Sequence, residues 1–520
     1  MTPEWLKNAV FYEIYPQSFY SLDNNGVGTL NGIISKLDYI CELGCNAIWL
    51  NPIYDSPFKD AGYDVRDYKK VASRYGSNRD ARNLFVEAHK RGIHVILDLV
   101  PGHTSEEHPW FIESSKASHN EYSDRYIWTD SWFKGIPGRP YIGGETERNG
   151  TYMLNFFKCQ PALNYGWTDP SEDWQSSVDS PEALATREAI KDICRFWLDM
   201  GCDGFRVDMA DSLVKGENAW PQTALVWKDI LSDLRKDHPS VVFVSEWCYP
   251  YTSIVDAGFD MDFYLDHKGN GYNSLLRDYE TDGPDMSYFR KDSHISCSKF
   301  INEWLPSYNA VKDHGFISLI TGNHDTTRIS YNLSSIELKI AFCFLLTMPG
   351  VPFIYYGDEI GMRYLDLPSY EGGYTRTGSR TPMQWDADTL SAGLNGKLYL
   401  PCDDSPDAPT VDKSRKIPDS LFNTVKNLIK LRLSEDSLCS DAPFDIVFLS
   451  DDSPLFIYRR KDLLIAVNPS SDELSARLDS SGELSSGSES SGRRVLWSVG
   501  EGKIEDGIIR LKPQSFVIFK

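Results

Sequence analysis

Four short polar clusters each follow an apolar, strand-like run: DLVPGHTS at 98–105, GFRVDMADS at 204–212, SEW at 245–247 and GNHDTTR at 322–328. They hold carboxyl groups at Asp208, Glu246 and Asp325, imidazoles at His103 and His324, and a guanidinium at Arg206. Taken singly, an acidic residue after a strand is more often a helix cap or a loop contact. Several of them converging on one rim are more than capping requires. Two carboxyl groups facing each other across a sugar's anomeric carbon are the minimum set for glycoside cleavage, one protonating the leaving oxygen while the other attacks or activates water.

Elements with a common grammar must position these groups. Apolar residues at helical spacing in the thirties end at Gly44 before a strand at 47–50, a segment at 80–91 ends at Gly92 before a strand at 93–97, and a helix entered by Ser180 and Pro181 ends at Gly201 before a strand at 204–207. Runs at 11–14, 241–244, 259–265, 316–320 and 352–356 complete eight candidate strands. Continuous apolar strands alternating with helices predict an α/β fold, a (β/α)8 barrel whose chemistry lies just after the strands.

The connection following His103 is too long for a simple loop and rich in aromatics, which are expected to form a small core of their own rather than a sugar platform. From about residue 440 the pattern becomes strand-like. The predicted organisation is a barrel from 1–103 and 171–438, an inserted domain at 104–170 after the third strand, and a C-terminal antiparallel β domain at 439–520. Within the last, the Ser/Gly/Glu-rich stretch 479–492 reads as a loop.

Composition narrows the partners. Forty-one per cent of the 520 residues are apolar and 25% charged, values of a folded globular chain. The 75 acidic against 53 basic residues leave a net charge of −22, which repels nucleic acid and anionic membrane surfaces. The apolar run 340–348 is too short to span a bilayer, and the N-terminus shows no secretory pattern. Ten cysteines without zinc spacing read as reduced thiols, so a cytoplasmic protein is expected.

The four clusters, in this order and on these strands, resemble the signature regions of the α-amylase superfamily of retaining glycosidases (glycoside hydrolase family 13). Further matches are DAGYDVRDY at 60–68, QPALNY at 160–165, GVPFIYYGDEIGM at 350–362 and RTPMQWD at 380–386, and the oligo-1,6-glucosidase and α-glucosidase branch is the most similar. The resemblance implies that Asp208 is the nucleophile, Glu246 the acid and base, and Asp325 the group that holds ring hydroxyls and stabilises the distorted transition state. It further implies that His103 and His324 donate to the bound sugar, that Asp60 and Tyr63 grip and stack on it, and that Arg380 closes the pocket. Arg206 is expected to lower the pKa of Asp208 from the same strand face, and Trp247 to help raise that of Glu246.

Departures from the family pattern matter too. In the aligned calcium loop, SLDNNGVGT at 21–29, only Asp23 keeps a carboxylate, and Gly102 replaces an asparagine that binds calcium between domains in many amylases; no metal or other cofactor is expected. Met209 follows the nucleophile where relatives carry valine, alanine or threonine, and Ala162 and the TTR of GNHDTTR are also unusual. The implied function is an exo-acting α-glucosidase acting on a small oligosaccharide or α-glucoside. Alternatives are a sucrose isomerase or trehalose synthase type of glucosyl transfer, and a non-catalytic amylase-like scaffold.

Overall fold

The computed structural model describes residues 2–22, 26–277, 286–372, 375–387, 398–478 and 493–520. At its centre lie eight parallel strands, β1 (Phe11–Ile14), β2 (Ala47–Leu50), β3 (His94–Leu99), β4 (Gly204–Val207), β5 (Val242–Ser245), β6 (Met261–Tyr264), β7 (Phe316–Leu319) and β8 (Phe353–Tyr355). Each pairs with its successor from β1 to β7, β8 pairs with β1, and a single bridge from Ile320 to Phe353 joins β7 to β8. The barrel is nearly closed. The run expected at 259–265 contributes only four residues, because Leu265 leaves the ladder and turns into the wall of a cavity.

Local chemistry sets the helices. Thr29 caps Leu30–Leu43 by accepting from the Gly32 N–H, and Ser180 with Pro181 opens Pro181–Met200. Both helices stop at glycines in the left-handed region, Gly44 at φ 99° and Gly201 at φ 112°. The helix expected at 80–91 runs Asn78–His89, started two residues earlier by a capping box between Ser77 and Asp80.

The insertion between β3 and Pro181–Met200 carries a short helix, Pro109–Ser114, and a hairpin of Tyr141–Gly143 with Thr151–Met153. Phe111 packs on Tyr126, Trp128 and Tyr152 at ring distances of 5.1, 5.9 and 4.9 Å, the small aromatic core anticipated there. Phe156 is an exception and faces the cavity.

Beyond the barrel, a five-stranded antiparallel sheet spans Phe444–Phe519, with a three-stranded sheet of Leu474–Arg477, Ile508–Leu511 and Gly502–Glu505 beside it. A buried cluster that includes Ile457, Ala466, Ile509 and Leu511 draws on both sheets. The loop expected at 479–492 lies outside the described residues. The apolar run at 340–348 belongs to Ser335–Thr347, a helix buried along nearly its whole length because the C-terminal sheet covers its outer face, with Phe344 against Phe456 and Tyr458. Among the described residues no helix is long and apolar enough to cross a membrane.

Buried Arg432 locks this junction. Its guanidinium donates to the carbonyls of Leu346 and Gly350, each at 2.7 Å, and to Met348 O and Ser440 Oγ at 3.3 and 3.2 Å. An unsatisfied buried acceptor costs roughly 1–3 kcal/mol. Arg432→Met, which keeps the stem and strands these carbonyls, is expected to lower Tm by several degrees in a thermal melt; an unchanged melt would remove Arg432 from the account of how the helix is held.

Candidate active site

Strand register builds the site. β3 and β4 pair so that Asp98 lies opposite Arg206, and both side chains point into the barrel near its C-terminal end, almost without solvent contact. Arg206 Nη1 donates to Asp98 Oδ1 at 2.7 Å and to Asp208 Oδ1 at 2.9 Å, while Nη2 lies 2.8 Å from Glu246 Oε2. One planar guanidinium therefore sets the positions of three carboxyl groups from β3, β4 and the end of β5. Asp98 is completed by Tyr63 Oη at 2.9 Å and Trp49 Nε1 at 3.2 Å.

Met209 follows Asp208 with φ 42°, a left-handed conformation that costs a non-glycine residue about 1 kcal/mol or more. The turn aims its N–H at Glu246 Oε2, 3.0 Å away. The strain thus ties the loop after β4 to the carboxyl group after β5.

These groups open onto a cavity of about 290 Å3. Of the residues singled out from sequence, Asp60, Tyr63, His103, Asp208, Glu246 and Asp325 line it. Arg206 lies beneath. His324 and Arg380, expected to touch a ligand, stand behind the wall: His324 is fully buried, stacked on Tyr63 at 5.2 Å, and Arg380 donates to His324 O at 2.8 Å and Asp325 Oδ1 at 2.7 Å. The lining cation is Arg376, whose Nη1 donates to Asp325 Oδ1 at 2.9 Å and Nη2 to Asp60 Oδ1 at 3.2 Å. Sequence reasoning missed it. It precedes Arg380 by four residues, and the Thr375–Ser379 3-10 turn that brings both toward Asp325 has no apolar periodicity to reveal it.

Asp98 and Asn155 were also overlooked as functional. Asp98 opened a quoted cluster, but its partner across the sheet appears only from register. Asn155 Nδ2 sits 3.1 Å from His103 Nδ1, joining the insertion to the barrel.

Charge balance divides the cavity. On the Arg206 side, burial outweighs the guanidinium and pushes both Asp208 and Glu246 up to about 7, and Asp98 to about 6. The lowering expected for Asp208 is overturned, because Arg206 acts on it as anticipated but is shared by three acids that also repel one another. Glu246 is raised as expected. On the other side burial disfavours ionised Asp325 as well, but flanking charge wins and holds its carboxyl well below the usual range. Burial drives His324 down to about 3, so at neutral pH it is uncharged and Arg376 and Arg380 supply that field. His103, pushed down to about 4 by burial, is neutral too.

The junction near Gly102 does not fit a cation. A Cβ on Gly102 would meet Asn155 Nδ2 at 2.6 Å and Ser212 Oγ at 2.7 Å, and the buried Lys215 amine donates to the Ser212 carbonyl close by. Residues 23–25 of the other calcium stretch lie outside the described residues. Among the described residues no group of three or more His, Cys, Asp or Glu side chains could hold a metal.

The family model "Alpha amylase, catalytic domain" matches residues 13–441, more than four-fifths of the chain. The chain belongs to the α-amylase family. This glycoside hydrolase is 31% identical to an oligo-1,6-glucosidase of Heyndrickxia coagulans, with 91% of the chain and 93% of that protein covered. A trehalose synthase/amylase of Mycobacterium tuberculosis is 32% identical, over 83% of this chain and 75% of its own. Among solved structures, isomaltulose synthase from Erwinia rhapontici NX5 superposes with a TM-score of 0.80 at 25% identity, covering 100% of this chain and 99% of the other.

The paired acids of this amylase-family site imply a pH signature. Chemistry that needs one member ionised fails as pH falls through the first macroscopic pKa, and chemistry that needs the other protonated fails as pH rises through the second. The kcat/KM profile is expected to be bell-shaped with its maximum near pH 7; a plateau extending to pH 9 would show that no acid of this pair donates a proton.

Proposed function

We propose that the protein is a retaining, exo-acting α-glucosidase that removes terminal glucose from short α-linked saccharides or α-glucosides. The observation that carries this reading is the placement of Asp208 and Glu246 on one guanidinium, in a cavity where Asp60, Arg376 and Asp325 form a continuous ion-pair bridge. A bridge of this kind blocks the pocket on one side and favours chain ends. Its oligo-1,6-glucosidase relatives support the same substrate class.

In this reading Asp208 attacks the anomeric carbon while Glu246 gives its proton to the departing oxygen, leaving a covalent glycosyl ester and a Glu246 carboxylate. Glu246 then takes a proton from water, whose oxygen attacks the same carbon and releases Asp208, so configuration is retained. Asp325, kept ionised by Arg376 and Arg380, accepts hydrogen bonds from ring hydroxyls. Arg380 Nη1 and His324 Nε2 have no hydrogen-bond partner among the described residues, leaving donors for this end of the sugar if the wall between them yields. His103 stays neutral, accepting from Asn155 at Nδ1 and donating its Nε2–H to the Tyr63 carbonyl at 3.2 Å, which holds the Tyr63 ring face in the cavity.

A second reading, glucosyl transfer or isomerisation, draws on apolar residues that share the cavity with Glu246. Phe156, Met209, Trp247 and Leu265 line the cavity and would exclude water from the intermediate. The trehalose synthase/amylase and isomaltulose synthase relatives lend it weight. We also propose a metal-independent enzyme, on the Asn155 and Ser212 side chains that fill the space beside Gly102, and a reducing compartment, on ten free cysteines.

The deciding measurement is an NMR time course on maltose, isomaltose, sucrose, trehalose, kojibiose and nigerose, with and without EDTA. α-Glucose is expected to appear first, at rates EDTA does not change. New disaccharides without free glucose would replace hydrolysis by transfer, and inertness toward the whole panel would reject the glucosidase. For the acid, Glu246→Gln is expected to lose at least a hundredfold on disaccharides yet far less on aryl glucosides with acidic leaving groups, which need no proton; equal losses on both would sink that role.

A further inference from the structure

A second cavity, of about 270 Å3, lies on the flank of the molecule, where the helices Ser335–Thr347 and Leu421–Ser434 meet the C-terminal sheet. Trp497, Asn427, Thr424 and Asp419 are among the residues that line it. None belongs to the catalytic cavity or to a signature motif.

Trp497 is placed there by an irregularity. In the pairing of Val495–Val499 with Ser515–Phe519, the register shifts between Val495 and Trp497, a bulge of the sort that re-aims a side chain. The indole meets Phe516 edge-on at 6.3 Å and remains partly exposed. Asn427, exposed on its helix, lines the same cavity as the indole. An aromatic face in one cavity with an exposed amide and an exposed carboxylate matches the alternating C–H face and hydroxyl edge of a pyranose.

Charge excludes the obvious rivals. The lining cation, Lys339, is buried and committed to Asp419, donating to its carbonyl at 2.6 Å and its Oδ1 at 2.7 Å. The pair leaves the Asp419 carboxylate as the exposed charge, on a protein of net charge −22, so a phosphate or other anion finds no counter-charge. Apolar lining beyond the indole is limited to Ile336, Pro418 and Val499, too little to anchor a hydrophobic helix.

We propose that this seam is a second, non-catalytic binding site for a neutral oligosaccharide, with Trp497 as its stacking platform and Asn427 and Asp419 as its hydrogen-bonding rim. It rests on the chain's being a glycoside hydrolase and not on the linkage it cleaves. Because barrel helices and the C-terminal sheet both contribute, a bound saccharide bridges the two parts.

The test is saturation-transfer NMR on the full-length Asp208→Asn protein, with the catalytic cavity blocked by excess 1-deoxynojirimycin and maltotetraose or isomaltotetraose as probes. Saturable binding of at least one probe is expected, reduced tenfold or more by Trp497→Ala and by Asn427→Arg, which projects into the cavity from an exposed helix position. In the otherwise wild-type protein, both substitutions are expected to leave kcat on a small aryl glucoside unchanged. Absence of probe binding to the blocked protein, or binding that survives both substitutions, overturns the proposal. Should Trp497→Ala fail to fold, Asn427→Arg decides alone. Since the readout is binding rather than turnover, an enzyme inert toward every glucoside would reject the glucosidase reading without touching this one.

Discussion

Everything at the mouth of the barrel is organised around one buried cation. Arg206 stands at the centre of three carboxyl groups and against the faces of Trp49 and Tyr63, at 5.2 and 5.8 Å from their ring centres. A guanidinium so deep would be costly alone, and three carboxylates would be costlier still. Each excuses the other only in part. One positive charge cannot neutralise three negative ones away from water, so the cluster retains a proton under conditions in which exposed carboxyls have lost theirs. Chemistry that needs a carboxylate and a carboxylic acid side by side gets both from a single imbalance.

The other half of the cavity is balanced the opposite way. Asp325 has two guanidiniums within 3 Å and shares Arg376 with Asp60, so cations are plentiful and the carboxylate is held ionised. Behind it, fully buried Glu13 lies 3.0 Å from His324 Nδ1. Burial raises the acid and lowers the imidazole, opposing charge on either partner. Carboxyl groups of the same type therefore differ in protonation across one pocket because their counts of neighbouring cations differ, as for acid and nucleophile pairs generally.

The barrel was legible because its signals are local and repeated: helix, stop, buried strand, polar residue. The acids were legible for the same reason, since Asp208 and Glu246 sit directly after strong strand patterns and Asp325 lies in the polar cluster that follows β7. What stayed hidden is relational. Asp98 matters because β3 and β4 pair in one register, and Arg376 because a short 3-10 turn swings it toward Asp60, more than three hundred positions away in the chain. The expected lowering of Asp208 failed similarly: the Arg206–Asp208 pair is visible in sequence, but the competition of Asp98 and Glu246 for the same guanidinium is a fact of three dimensions.

The seam of the barrel bears on how the chain is made. β1 has a partner on each side, and one of them, β8, begins at Phe353. On a ribosome adding roughly 5–20 residues each second, that second partner emerges tens of seconds after β1. The apolar helix Ser335–Thr347 acquires its outer cover later still, when Phe456 and Tyr458 appear. The nascent chain thus displays an unpaired strand edge until β8 is made and, almost from that moment, a greasy helix until the C-terminal sheet covers it, so its need for chaperones should pass from one exposed surface to the other rather than end when the barrel closes.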